Sequence, residues 1–150
     1  IKNGKKISTE NIMKLTNIAE NYSVSELIDN CLAKNKSKII KILNENNFNN
    51  EDSILIVKIF ISKLKRILIL SQALQNNNDI NKTIVEAKPP VFWKDKEIVK
   101  KQISIWKPKS IKNLIYKLNE IELIMKKNVD SSLKLVTDLI LEQSTLKTNN

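Results

Sequence analysis

The sequence predicts an all-α fold, a bundle of about six to seven helices preceded by one further short helix. Three observations carry that expectation. Apolar residues recur three and four positions apart along nearly the whole chain, the period of a helix face. One glycine and three prolines leave almost nothing for the tight turns that join strands. Apolar residues at 41% and charged residues at 28% of 150 supply the core and the solvated surface of one domain.

A first short helix is expected from about Ser8 to Ala19, with Ile12, Leu15 and Ile18 on one face. Asn21-Tyr22 is expected to break it. Ser23-Val-Ser-Glu26 has capping-box spacing, in which the hydroxyl and the carboxylate each take one orphan amide, so a second helix is placed there. Its apolar positions are Val24, Leu27, Ile28, Cys31 and Leu32. A third, about Lys36 to Asn46, buries Ile39, Ile40 and Leu43, with Ile42 as a further candidate.

Phe48-Asn-Asn-Glu-Asp52 reads as a turn whose acids suit the positive end of the next helix. That helix, about Glu51 to Asn76, is the most apolar. Its narrow polar stripe (Lys58, Ser62, Lys65, Arg66, Gln72) requires other helices around most of its circumference, so it is expected at the centre of the bundle. Asp79 caps a short helix reaching about Ala87. Pro89-Pro90 stops it and forces an extended segment to Trp93. A sixth helix spans about Asp95 to Trp106. Pro108 opens a seventh to Lys127, and Asp130 caps an eighth that buries Leu133, Val136, Leu139 and Ile140. The Asn- and Thr-rich end reads as a frayed tail.

The composition excludes more than it suggests. Histidine is absent and Cys31 is the single cysteine, which removes Ser/His and Cys/His catalysis, His-ligated metal and internal disulfides. No glycine-rich phosphate loop exists, and no catalytic residue, cofactor or metal is expected. Cys31 falls on an apolar face and reads as a small buried hydrophobe. Disulfide-free composition fits a cytoplasmic protein. The opening Ile1-Lys-Asn-Gly-Lys-Lys6 lacks both a starting Met and a following apolar stretch, so a fragment or processed chain without a signal peptide is expected. Lys58, Lys63, Lys65 and Arg66 interrupt the longest apolar stretch and argue against a membrane span.

The net charge is +10, carried by 25 lysines and one arginine beside 20 asparagines and 24 isoleucines. Lys/Asn/Ile enrichment is also what an AT-rich genome writes into any protein. The local distribution is more informative. Lys94 to Lys117 holds eight lysines against Asp95 and Glu97, a net +6, interleaved with Trp93, Trp106 and Tyr116. Lys94, Lys96, Lys100, Lys101, Lys107, Lys109 and Lys112 are candidate phosphate contacts, while a lone arginine argues against reading base edges. A stand-alone, non-specific nucleic-acid-binding module is therefore one functional reading. Ile111, Leu114, Leu118, Ile121 and Met125 alternate three and four apart and form a seam, broadened by Ile115 and Ile124.

Pro89-Pro-Val-Phe-Trp-Lys94, the helix ending at Trp106 and the pattern Leu114…Leu118…Glu122-Leu123…Lys126 resemble the delta subunit family of the bacterial DNA polymerase III clamp loader. Ser23-Val-Ser-Glu-Leu-Ile-Asp29 followed by Cys31-Leu-Ala-Lys-Asn35 resembles that family's entry into its last domain. Ile7-Ser-Thr-Glu-Asn-Ile12 resembles the end of its AAA+-type lid.

The resemblance implies a non-catalytic subunit of a polymerase holoenzyme. On it, residues 1–21 are the end of the lid domain and residues 22–150 the C-terminal helical collar. Such a collar joins ATPase and delta-prime-type subunits into a pentamer. The sliding clamp is bound through a domain absent from this stretch, and DNA is reached mainly through the complex. Phe92, Trp93, Trp106, Glu122 and Lys126 are the candidate interface or packing anchors, since large aromatics dominate protein contacts.

Overall fold

The computed structural model describes the backbone of residues 9–145 and the side chains of residues 21–145. Seven helices fold into one all-α bundle, and no strand occurs among the described residues. They are α1 (Thr9–Leu32), α2 (Lys36–Glu45), α3 (Asp52–Asn77), α4 (Ile80–Val85), α5 (Lys96–Ile105), α6 (Pro108–Lys127) and α7 (Ser132–Thr145). Short 3₁₀ turns at Trp93–Asp95 and Val129–Ser131 lead into α5 and α7.

The N-terminal region departs from expectation. α1 is a single helix of 24 residues that passes through Asn21-Tyr22 without a break. Asn and Tyr are only modest helix formers, and with no Gly or Pro beside them their deficit is about 0.7 kcal/mol each at most, too little to end a well-packed helix. Ser23 and Glu26 therefore lie in mid-helix and form no capping box. The expected Ile12/Leu15/Ile18 face, the opening residues 1–8 and the tail from residue 146 lie outside the described residues or side chains.

α1 ends in a Schellman motif built without glycine. Lys34 adopts the left-handed conformation (φ 60°), Lys34 N donates to Cys31 O and Asn35 N donates to Asn30 O. α2 buries Ile39 and Ile42 and half-buries Leu43, and of the expected inward residues Ile40 alone is exposed.

α3 is the central helix, in contact with α1, α4, α5, α6 and α7. Its start is a reciprocal cap. Asn49 Oδ1 accepts from the amides of Glu51 (2.8 Å) and Asp52 (3.1 Å), while Asp52 Oδ2 accepts from Asn49 N at 2.7 Å. Val57, Phe60, Leu64, Ile67 and Leu70 bury its inward side. Asn78, left-handed at φ 53°, closes it, and Asp79 Oδ1 caps α4 by accepting from Lys82 N at 3.0 Å.

Pro108 occupies the first turn of α6, where its missing N–H costs nothing. Ile111, Leu114, Leu118, Ile121 and Met125 are all buried. The seam is narrower than expected: Ile115 is half-buried and Ile124 exposed. α7 buries Val136, Leu139 and Ile140 and half-buries Leu133. Its cap is not Asp130, which sits inside the preceding 3₁₀ turn. Asn50, from the loop before α3, reaches across: its Oδ1 accepts from Leu133 N at 3.0 Å and its Nδ2 donates to Asp130 O at 3.1 Å.

Candidate functional site

The segment between α4 and α5 decides where the aromatic candidates go. Two prolines keep Pro89 to Phe92 out of a helix, and the chain crosses the bundle as a strap. Arg66 of α3 donates from its guanidinium to Pro89 O, and Val91 packs half-buried against the core. The strap is held at its start and middle, and the next two side chains project outward. Phe92 is 57% and Trp93 68% exposed. Their ring centroids lie 5.9 Å apart at an interplanar angle of 50°, and Lys94 Nζ sits 5.3 Å from the Trp93 centroid.

A cavity of about 290 Å³ lies beneath the strap, between α1, α3 and α5. A second, of about 610 Å³, continues toward Tyr22 and Lys38 and shares Asp29, Lys63, Phe92, Asp95 and Ile98 with the first. Together they form one groove with an aromatic edge. In its floor Lys63 Nζ lies 2.9 Å from Asp29 Oδ1, each side chain about a quarter exposed. Burial pushes the Asp29 carboxyl above its ordinary value, outweighing the opposing pull of Lys63.

Trp106 has a different place. It is 2% exposed, its Nε1 donates to Leu32 O at 2.8 Å, and Lys34 Nζ lies 4.5 Å from the ring centroid. Its carbonyl accepts from Ser71 Oγ of α3 at 2.9 Å. Trp106 thus knits α1, α3 and α5 together and offers no surface to a partner. Glu122 and Lys126 form an i,i+4 ion pair at 3.5 Å on α6, of the kind that adds a few tenths of a kcal/mol.

The basic stretch is divided. Lys100 is 3.4 Å from Glu97 and Lys117 is 3.2 Å from Glu142, while Lys96 and Lys101 are exposed on α5. Lys107, Lys109 and Lys112 instead line one open recess of about 610 Å³ at the start of α6, with Gln75, Pro108 and Asn113. Sequence reading missed Gln75 and Asn113, and also Asp29 and Lys63. The latter pair carried a weak signal, since Asp29 follows Leu27-Ile28 on α1 and Lys63 lies between Phe60 and Leu64 on α3.

Cys31 is fully buried, and burial pushes its thiol up to about 12. Among the described residues no group of three or more His, Cys, Asp or Glu side chains could hold a metal ion. No helix among them is long and apolar enough to cross a membrane.

This chain matches no family model, no curated protein and no solved structure.

Proposed function

We propose that this chain is a non-catalytic assembly module, the C-terminal collar domain of a clamp-loader subunit of the delta type. In that role it helps hold together the complex that places a sliding clamp on primed DNA. One observation carries the reading: Phe92 and Trp93, within the segment that resembles the family, stand 57% and 68% exposed on a strap fixed from beneath. Adjacent large aromatics in solvent have no role in this chain's own core, and such residues anchor protein interfaces. Their attachment to a fixed strap keeps the ordering cost of docking low.

The partners on this reading are ATPase subunits and a delta-prime-type subunit, with the clamp and DNA engaged through the assembled loader. Size-exclusion chromatography of the chain with clamp-loader ATPase subunits at micromolar concentration tests it. Co-elution is expected, and F92A/W93A is expected to abolish it while leaving helicity and melting unchanged. Separate elution of the unaltered chain from every such subunit sinks the assignment.

A further inference from the structure

We propose that the recess between the end of α3 and the start of α6 binds the phosphate groups of a polyanion. Three lysine side chains line it, Lys107, Lys109 and Lys112, with the amides of Gln75 and Asn113, and no carboxylate does. Among the described residues none of the three lysines is in an ion pair, whereas Lys100, Lys117 and Lys126 are each matched by a glutamate. Like charges gathered in a concavity without a counter-charge focus a positive potential there, and an anion relieves their mutual repulsion.

The frame of the recess is set without a ligand. Ser71 Oγ holds Trp106 O at 2.9 Å, the Trp106 ring is buried, and Pro108 fixes the chain direction two residues on. Gln75, one turn beyond Ser71 on α3, therefore faces the first residues of α6 across the recess. Only flexible lysine stems and two amides remain to be ordered on binding.

The ligand class follows from the donors. Ammonium groups are point charges that neutralise phosphate without selecting a planar partner, and the single arginine, Arg66, is committed to the strap on another face. Amides add hydrogen bonds to phosphate or sugar oxygens. This combination suits a repeating phosphate chain and carries no base-edge specificity. The site goes beyond the assembly reading and stands without it: loss of partner association leaves the recess intact.

The test is fluorescence anisotropy of a labelled oligothymidine titrated with the chain at several salt concentrations, with inorganic tripolyphosphate as competitor. K107Q/K109Q/K112Q is expected to weaken binding by about tenfold or more. It should also flatten the slope of log affinity on log salt by about 2, at roughly 0.7 per single-strand phosphate contact. K36Q/K58Q/K65Q, which removes as much charge at exposed lysines outside the recess, is expected to change affinity by less than about twofold, because lysines that neutralise no phosphate release no counter-ions. Both variants should melt with the parent. Displacement by tripolyphosphate identifies phosphate chains in general as ligands, and resistance to it identifies a nucleic-acid backbone. Equal losses in the two variants, or no salt-dependent binding by the parent at low salt, overturn the site.

Discussion

Trp106 donates from Nε1 to the main-chain carbonyl of Leu32 at 2.8 Å, across 74 positions of sequence. In the last turn of α1, Asp29 O, Asn30 O and Cys31 O receive main-chain amides from Ala33, Asn35 and Lys34. The Leu32 carbonyl is served instead by the indole. A helix end inside a core needs every carbonyl matched, and here a side chain from another helix does it. Trp106→Phe keeps most of the ring's packing but removes that donor. Urea unfolding is expected to show a loss of about 1–3 kcal/mol, the cost of one buried acceptor left unmatched. Unchanged stability would mean that the bond contributes nothing.

The two tryptophans report on different surroundings. Trp106 is buried and Trp93 exposed, so Trp93→Phe is expected to leave a blue-shifted emission that acrylamide quenches weakly. Trp106→Phe should leave a red-shifted, readily quenched one. The opposite pattern would contradict the strap geometry.

Asn50 serves the α7 terminus from a distant loop. Asn50→Ala is expected to cost about 1 kcal/mol, the usual value of an N-terminal cap, and to speed hydrogen exchange in the first turn of α7. Asn50→Asp retains the acceptor and should recover most of that loss. If Asp130→Ala proves as costly as Asn50→Ala, the assignment of the cap fails.

Cys31 has its thiol raised by burial from an ordinary 9.0 to about 12. The unfolded thiol ionises first, so stability from this group is fully present below pH 9 and is lost as pH rises toward 12. Aromatic disulfide reagents are expected to leave the native thiol unmodified at pH 8 and to label it only as fast as the chain unfolds. Rapid stoichiometric labelling of native protein would show the site to be open.

Asp29 has its carboxyl raised by desolvation despite Lys63 beside it. A raised folded value means that its contribution is fully present below the ordinary 3.8 and is lost as pH rises through the folded value. Asp29→Asn is therefore expected to lie within about 1 kcal/mol of the parent at pH 7, with the balance moving toward the parent on acidification. A loss of about 3 kcal/mol or more at pH 7 would show that the ion pair outweighs its burial.

Regular, local signals were readable in the sequence. The α6 seam, the central position of α3, the Asp79 cap and the break at Pro89-Pro90 all depend on residues close in sequence, and each appears where periodicity and turn chemistry put it. The break expected at Asn21-Tyr22 failed because local propensity is weak beside the packing of Val24, Leu27 and Ile28. The Asp130 cap failed for a related reason, since a partner 83 residues away from Leu133 supplies the acceptor. Within the candidate site, the exposed pair Phe92 and Trp93 could be named from sequence, but not which of three aromatics would be buried. Trp106 is equivalent to them by residue type, and only its bond to the Leu32 carbonyl, 74 positions away, sets it apart. Lysine clustering was equally legible, whereas the convergence of three of those lysines depends on α3 and α6 meeting at Ser71 and Trp106.

The end of α1 also bears on the order in which the chain can become structured. Its last turn receives Gln102 Nε2 at Asp29 O and Trp106 Nε1 at Leu32 O, while Cys31 Sγ donates to Ile140 O, at separations of 73, 74 and 109 residues. An early-synthesised helix is thus completed only by segments made much later. Until residue 106 leaves the ribosome the α1 terminus has no indole, and until residue 140 does the Cys31 side lacks its cover. Distant pairings of this kind slow folding, because loop closure is spent before the contacts repay it. The packing of α1 on α2 and α3 can therefore form first, while the polar closure of its last turn waits for α5 and α7.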